Sequence, residues 1–339
     1  MKIGIVGDVH WSKYSSIVRS RGEKYSTRLE NCIQSVNWAE DFIKTAGCDF
    51  VVYLGDFFDS SDLNAEEISA LNEIVWNDLD HYFIVGNHEM GLNDLSFSSS
   101  HLLNLCKNIN VITKPTSILI NSTSIGFIPY ILESNRQPFE SYIKDKDTIV
   151  FSHNDLKGIQ MGRIISPSGF ELEEIHNNCR FFINGHLHNG SVISNKIINV
   201  GNLTGQNFSE DATIYHHHIM IFDTDTCNYD LVDNPYAFNF VKFDDEIDGF
   251  ALIEEILNAT SNVVCTLKVK AKNKAKYTDL LTNTITNRVI IEPEIIHSNE
   301  NLEALESLSV NHLDKFREYV LNELGTSDVV LSELEVITK

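Results

Sequence analysis

The 339-residue chain has no apolar run of membrane-spanning length and no closely spaced pair of cysteines. The first absence argues against a helical membrane protein. Because Cys32, Cys48, Cys106, Cys179, Cys227 and Cys265 are scattered, a thiolate zinc site and a dithiol redox site also drop out. The six thiols are expected to be reduced and mostly buried, in a cytoplasmic setting. No leader is expected either, since Met1-Lys2-Ile3-Gly4-Ile5-Val6-Gly7-Asp8 enters a strand at once and turns polar too soon for a signal peptide. Positive charge is scarce as well. Lys and Arg number 26 against 48 Asp and Glu, and the net charge of −22 argues against a broad basic surface that holds nucleic acid by itself. Repeats and low-complexity tracts are missing too. The 42% hydrophobic and 22% charged content is ordinary for a soluble globular protein, long enough for one large core and a smaller module.

Polar residues are concentrated at strand ends. Phe50-Val51-Val52-Tyr53-Leu54 is an apolar run that closes in Gly55-Asp56-Phe57-Phe58-Asp59, delivering a carboxylate to the C-terminal edge of a sheet. A first strand ends at Asp8-Val9-His10, and a third, His81 to Val85, ends at Gly86-Asn87-His88-Glu89. Two more end at Ser152-His153 and at Asn184-Gly185-His186-Leu187-His188. Between them, Leu29, Cys32, Ile33, Val36, Ala39, Phe42 and Ile43 recur at helical spacing, with Gly47 as a stop. Further helices are predicted over 64–79 and around Ser100–Lys107, and strands near 109–114, 117–130, 196–200 and 216–223. Alternating strands and helices followed by a run of strands predict an α/β fold, a sheet sandwich with helices on its outer faces (αββα).

After about residue 240 the pattern changes. Alternation over 263–271 puts Val263, Cys265, Leu267, Val269 and Ala271 on one face and Lys268 and Lys270 on the other, with Lys272, Lys274 and Lys276 beyond. A helix over 277–285 and the strand Val289-Ile290-Ile291 complete a small βαβ-like module ending at Pro293. From 297 onward the chain is acidic and amphipathic, with Leu313, Phe316, Val320 and Leu324 at helical spacing and Gly325 as a stop. Three parts are expected: a catalytic domain over 1–240, a small α+β cap over 241–296 and a helical tail over 297–339.

Asp8 and His10 stand two apart at a strand end, as do His186 and His188, so each pair can point to one side of its loop. Imidazoles with carboxylates and one amide form a first-row divalent ligand set. A carboxylate shared by two ions, for which Asp56 is the candidate, would hold them about 3.5–4 Å apart, as in phosphoryl transfer. Singly, each piece is weak: Asp-x-His arises by chance, a lone His153 is more often structural, and Gly-Asn-His-Glu can be a plain turn. All five together, in order and each at a strand end, are not explained that way.

Asp8-x-His10, Gly55-Asp56-x-x-Asp59, Gly86-Asn87-His88-Glu89, His153 and Gly185-His186-x-His188 resemble the motifs of the calcineurin-like metallophosphoesterases. Gly55-Asp56-Phe57-Phe58-Asp59-Ser60-Ser61 and the cap-like module look like the SbcD/meiotic-recombination-eleven type of DNA repair nuclease, in a compact length similar to versions encoded by tailed phages. The motifs cover residues 1–205; over 240–339 the likeness is architectural. The resemblance implies a metallophosphoesterase β-sandwich with Asp8, His10, Asp56 and His188 on one ion and Asp56, Asn87, His153 and His186 on the other. The implied cofactors are two divalent ions, Mn2+ first and Mg2+ second. His88 would steady the phosphate or protonate the leaving 3′-oxygen, with Asp59 orienting it. The implied activity is exonuclease on duplex ends and endonuclease on single strands, in double-strand-break repair and recombination. Two positions depart from the pattern: Glu89 stands where this branch often has Asp, and Asp59 where some members have His. His216-His217-His218 fits no motif and reads as an edge-strand run.

A net charge of −22 leaves DNA contact to local patches. The candidates are the lysine row (Lys268, Lys270, Lys272) and the loop carrying Lys13, Arg19 and Arg21; a solvated strand face explains the row equally well. The resemblance also implies an SMC-like ATPase partner and a homodimer through segments around 64–79 and 95–107; Leu313, Phe316, Val320 and Leu324 of the tail fit a helix-in-groove contact with that partner, and packing back on their own domain explains them nearly as well. Two alternatives stand beside the nuclease. One is a phosphodiesterase or phosphoprotein phosphatase, weakened because Asp59-Ser60-Ser61 replaces the usual Asp-Arg-Gly. The other is a scaffold that lost catalysis, weakened because all seven candidate ligand positions keep metal-binding residue types.

Overall fold

The computed structural model describes residues 1–15, 18, 21–161, 164–210, 214–244, 248, 251, 262–269 and 289–293. Arg19, Lys270, Lys272 and the tail residues Leu313, Phe316, Val320 and Leu324 lie outside them.

Two six-stranded sheets form the body. The first contains β1 (Lys2–Val6), β2 (Phe50–Tyr53), β3 (Asp80–Ile84), β6 (Ile109–Ile112), β15 (His218–Asp223) and β16 (Tyr229–Asp233), in the order β16-β15-β1-β2-β3-β6. β1, β2, β3 and β6 run parallel, and β15 closes against β1 antiparallel. The second contains β7 (Thr116–Ile120), β8 (Thr123–Ile128), β9 (Ile149–Ser152), β12 (Phe181–Asn184), β13 (Ser191–Ser194) and β14 (Ile197–Asn199), in the order β13-β14-β12-β9-β8-β7. Two short ribbons, β4–β5 (Met90–Gly91, Asp94–Ser98) and β10–β11 (Gln160–Met161, Ile164–Ile165), lie at their margins.

The period-2 alternation of a strand explains why an unbroken apolar run was needed at β2. Phe50 and Val52 enter the core between the sheets, while Val51 and Tyr53 enter the core beneath helix α1 (Thr27–Thr45). Between the sheets, Ile3, Ile5 and Ile84 meet Phe127, Ile149, Phe151 and Ile183, each contributing about 1.5–3 kcal/mol by burial. α1 begins where Ser26 accepts a hydrogen bond from Leu29 N at 3.2 Å, and the chain turns away at Gly47 (φ 70°). Its Leu29, Cys32, Val36, Ala39 and Ile43 cover the first sheet, with α2 (Ala65–Ala70) alongside. On the outer face of the second sheet, Phe139, Phe170 and Ile175, the last on α3 (Leu172–Asn178), cover Val150 and Phe182. The layers are therefore αββα.

Three predicted elements differ. The helix expected over 64–79 ends at Ala70, tightens into a 3-10 turn at Leu71–Glu73 and is extended at Ile74. Side chains of α1 claim the amides that would have continued it. Asn37 Oδ1 accepts from Val75 N (2.8 Å) and Glu40 Oε2 from Asn77 N (3.2 Å). Trp76 is thereby turned onto Tyr53, Phe57 and Phe83, at ring-centroid distances of 6.0, 6.1 and 5.6 Å. The helix expected around Ser100–Lys107 is a 3-10 helix over Ser99–Leu105. The strand expected over 117–130 is the hairpin β7–β8, turning at Asn121 (φ 47°) and Ser122 (φ 67°); two positive φ values are the signature of a type I′ turn. α3, β13 and β16 were not anticipated.

A third sheet follows, β17 (Asn239–Asp244), β18 (Val263–Val269) and β19 (Val289–Pro293), with every pair parallel, which requires crossover connections. Its first strand spans the boundary drawn at 240/241. Val264 is buried with Phe238, Phe240 and Val18, although the alternation assigned it to the lysine-bearing face.

Candidate metal centre

The C-terminal ends of β1, β2 and β3 meet those of β9 and β12 along one edge of the sandwich. Two glycines allow the approach. A Cβ on Gly55 would lie 2.4 Å from His153 Nδ1, and one on Gly86 would lie 2.1 Å from Asp56 Oδ1. The Asp56 carbonyl accepts from both Val9 N (3.1 Å) and His10 N (2.9 Å), tying the first loop to the second. His10 (φ 50°), Asp56 (φ 46°) and His186 (φ 74°) all adopt the left-handed conformation, at a cost on the order of 1–3 kcal/mol each.

Asp8, His10 and His188 bring ligand atoms within 4.8 Å of one another, as do Asp56, His153 and His186. Asn87 joins the second group, with Oδ1 3.1 Å from His153 Nε2. Asp56 belongs to a third such grouping with His10 and His88, so it lies within reach of both sides. All seven predicted ligand positions are thus brought together.

Divalent cations fit this arrangement. Asp8 Oδ2 is buried with no hydrogen-bond partner. His10 Nε2 and His188 Nε2 face each other at 3.0 Å, an arrangement of two lone-pair nitrogens that a cation between them would satisfy. His153 Nδ1 lies 2.8 Å from the Leu54 carbonyl, which can only accept, so Nδ1 donates there. That leaves Nε2 aimed at Asp56 Oδ2 (3.1 Å) and Asn87 Oδ1.

The electrostatics follow from burial and pairing. Burial raises the Asp56 carboxyl, but His153, then His10 and His88, outweigh it and hold it far below the usual range. Burial would lower His153, yet Asp56 and Asp8 push it up to about 9. His10 is lowered, mainly by burial. At the rim, Asp59 accepts from His10 Nδ1 at 2.9 Å and lies 3.4 Å from His88 Nδ1. Burial raises Asp59, but those two imidazoles bring it below its ordinary value. The bond to Asp59, followed by the weaker attraction of Asp56, lifts His88 to about 9. His88 N also donates to Asp56 Oδ1 at 2.9 Å. His88 and Asp59 are therefore joined at the mouth of the site.

Two carboxylates were missed. Asp155 Oδ1 lies 3.0 Å from His186 Nε2, and Glu210 Oε1 2.8 Å from His188 Nδ1, each behind an imidazole of the Gly-His-Leu-His turn. The only sequence hint for Asp155 was its place two residues after His153; Glu210 had none. Buried Arg28 was missed too. Its guanidinium donates to Val9 O, His10 O, Thr204 Oγ1 and Gly205 O, clamping two loops of the site. Glu89 is fully buried and accepts from Phe58 N (3.0 Å) and Gly86 N (2.8 Å), holding the second and third loops together.

The other candidates are placed as follows. Lys13 and Arg21 both pair with Glu66, so one of their two charges is already countered. The three histidines of 216–218 point to separate surroundings: His216 pairs with Asp233 at 3.3 Å, His217 is buried against Asn202 O, and His218 is buried on β15. None of them belongs to a metal-suited grouping among the described residues. No helix of the described residues is long and apolar enough to cross a membrane.

The family model of the calcineurin-like phosphoesterases matches residues 1–190. No curated protein matches the chain. Among solved structures, an archaeal phosphodiesterase is similar at 15% identity, covering 69% of this chain and 99% of its own, with a TM-score of 0.35. A hypothetical protein from Thermus thermophilus is similar at 11% identity, covering 69% and 100%, with a TM-score of 0.41. A dimetal phosphatase from Danio rerio is similar at 13% identity, covering 65% and 91%, with a TM-score of 0.38.

Proposed function

The chain belongs to the calcineurin-like phosphoesterases, and from that premise we propose that it is a two-metal DNA nuclease subunit, manganese-dependent, acting on duplex ends and single strands in recombination and repair. The observation that carries the proposal is the pair of ligand groups meeting at Asp56, with His88 Nδ1 at their rim bonded to the Asp59 carbonyl (3.3 Å) and 3.4 Å from its carboxylate. The segment Phe57-Phe58-Asp59-Ser60-Ser61 supports a nuclease over a phosphoprotein phosphatase, because Ser60-Ser61 stand where the phosphatases carry the Arg-Gly of Asp-Arg-Gly.

When bound, two divalent ions supply Lewis-acid stabilisation of the phosphoryl oxygens, with Asp8, His10, Asp56 and His188 suited to one and Asp56, Asn87, His153 and His186 to the other. His88, which Asp59 lifts to about 9 in the metal-free protein, turns Nδ1 toward Asp59, leaving Nε2–H to steady a phosphate oxygen or to give its proton to the leaving 3′-oxygen. Asp59 orients that imidazole and His10 together, and Glu89 fixes the loops that carry Asp56 and His88.

DNA would reach the site beside the cap, where the lysine row that begins at Lys268 would supply positive charge. We assign the tail to an SMC-like ATPase partner. A homodimer is supported by a groove of about 430 Å³ where Leu63, Ile68, Leu102 and Leu105 stand beside Ser61, Ser98, Ser99 and His101. One observation favours a second possibility, a small phosphodiester substrate: Lys13 and Arg21 share the carboxylate of Glu66, which halves the positive charge they can offer to DNA.

The test is cleavage of linear duplex and single-stranded DNA with manganese, beside EDTA and His88→Ala controls. Metal-dependent cleavage lost in both controls is expected. Turnover of a small phosphodiester without DNA cleavage, even with the ATPase partner added, would replace the nuclease by the second possibility.

A further inference from the structure

Ten buried side-chain nitrogen and oxygen atoms lack a hydrogen-bond partner among the described residues, and five of them belong to four residues that meet around one loop. They are Arg28 Nε, Asn202 Nδ2 and Oδ1, Gln206 Nε2 and His217 Nε2. Gly205 joins their owners. Its carbonyl accepts from Arg28 Nη1 at 3.2 Å, and a Cβ built on it would stand 3.0 Å from His217 Nε2. The Asn202 carbonyl lies 3.2 Å from His217 Nδ1. Arg28, Asn202 and His217 are at most 4% exposed, so bulk solvent does not reach them. Buried polar groups left unpaired are costly, and five in one place imply a ligand.

The five atoms select its chemistry. The Asn202 carbonyl can only accept, so His217 donates through Nδ1 and presents a lone pair at Nε2. Burial, prevailing over Glu210, pushes this imidazole down to about 4 and keeps it neutral. His217 Nε2 and Asn202 Oδ1 therefore need donors, whereas Arg28 Nε, Asn202 Nδ2 and Gln206 Nε2 need acceptors. Exchanging the two ends of the Asn202 amide changes nothing, because neither end is partnered. An anion would suit the three donors but face the two lone pairs. A cation would suit the lone pairs but face the Arg28 guanidinium, whose other hydrogens go to neutral oxygens of Val9, His10, Thr204 and Gly205. Water both donates and accepts, and meets all five. One water makes about two to four hydrogen bonds, so five atoms require at least two.

We propose that Arg28, Asn202, Gln206 and His217 enclose a buried hydration site of at least two ordered waters, which join α1 and β15 to the loop over 202–210. The site gives the middle imidazole of His216-His217-His218 a role that its neighbours do not share. It also steadies the segment in which Gln206 N donates to Glu210 Oε2 at 2.7 Å. The site lies outside both ligand groups and is independent of the function proposed above.

The test is a crystal structure of the unaltered full-length protein at a resolution that shows ordered water, with a second crystal grown in bromide. Two or more waters bonded to His217 Nε2, Asn202 and Arg28 Nε are expected, with no anomalous bromide signal among them. Fewer than two waters, a bromide peak, or direct hydrogen bonds among the four side chains would overturn the proposal. His217→Phe checks the site in solution. Relative to the unaltered protein, magnetic relaxation dispersion of solvent water should lose at least one long-lived water. Exchange of the Gln206 amide should quicken by about two- to tenfold while the amides of β2 keep their rates. A folded His217→Phe protein with an unchanged count of long-lived waters would also overturn it.

Discussion

Cation binding should expel protons, and His153 is one source of them, beside His188, which burial lowers but Glu210 lifts above its ordinary value. In the metal-free protein the His153 Nδ1–H is committed to the Leu54 carbonyl, while Nε2 lies 3.1 Å from Asp56 Oδ2. Burial opposes the charge on this imidazole, but Asp56 and Asp8 prevail and push it up to about 9 from an ordinary 6.5. At pH 7.5 about 97% of the Nε2 atoms then carry a proton, which a ligand nitrogen must shed. Binding should release about one proton from this group, and the apparent affinity should rise roughly tenfold per pH unit until it levels near pH 9. The penalty at pH 7.5 is on the order of 2 kcal/mol. The same shift has a stability sign. Because the folded value lies above the unfolded one, the Asp56–His153 pair stabilises the metal-free fold fully below about pH 6.5 and loses that contribution as pH rises through about 9. Calorimetry at pH 7.5 in buffers of different ionisation enthalpy counts the protons, and repeating it in Asp56→Asn, which removes the larger of the two carboxylate attractions on His153 and leaves Asp8 against burial, should lower the count. A proton count near zero at pH 7.5, or an affinity flat between pH 6.5 and 9, would refute the reasoning.

Three other outcomes are expected. Gly86→Ala drives a Cβ to 2.1 Å from Asp56 Oδ1 and should destabilise the protein by about 1–3 kcal/mol in urea unfolding, with metal affinity reduced as well. Tyr53→Phe removes a buried hydroxyl that donates to Glu40 Oε1 at 2.6 Å and should cost about 1.5–3 kcal/mol by the same measurement, leaving metal binding unchanged. In metal-free protein, Asp59→Asn should shift the His88 titration from about 9 back toward 6.5, followed by histidine proton resonances; an unmoved midpoint would remove Asp59 as the cause.

The parts of the fold and site that could be read in the sequence depend on local order. An apolar run such as 50–54 has to be a strand buried on both faces, and a carboxylate one residue past a glycine has to stand at its end. Positions such as Asp8, Asp56 and His153 could therefore be picked out one strand at a time. Glu210 could not, because it meets His188 only through the loop after β14, and nothing at Asn207-Phe208-Ser209-Glu210 distinguishes it from a surface turn. Asp155 is a similar case, 31 residues from the imidazole it supports. The over-long helix at 64–79 failed for another reason. Ile68, Leu71, Ile74 and Val75 have the right spacing, but Asn37 and Glu40 on α1 compete for the amides, and no pattern within the segment records that. Glu89 looked like a departure from family pattern, whereas its extra methylene lets one carboxylate reach amides on two loops.

Because Asp8, His10, Asp56 and Asn87 end strands of one sheet and His153, His186 and His188 end strands of the other, an ion ligated by both sets acts as a rivet across the sandwich. Its effect on kinetics should be one-sided. The ligands gather only after the sheets have docked, so the folding limb of a chevron should barely respond to added cation. The sheets cannot part without breaking ligation, so the unfolding limb should slow as the cation is raised. Saturating metal would thus lengthen the lifetime of the folded chain far more than it hastens its formation.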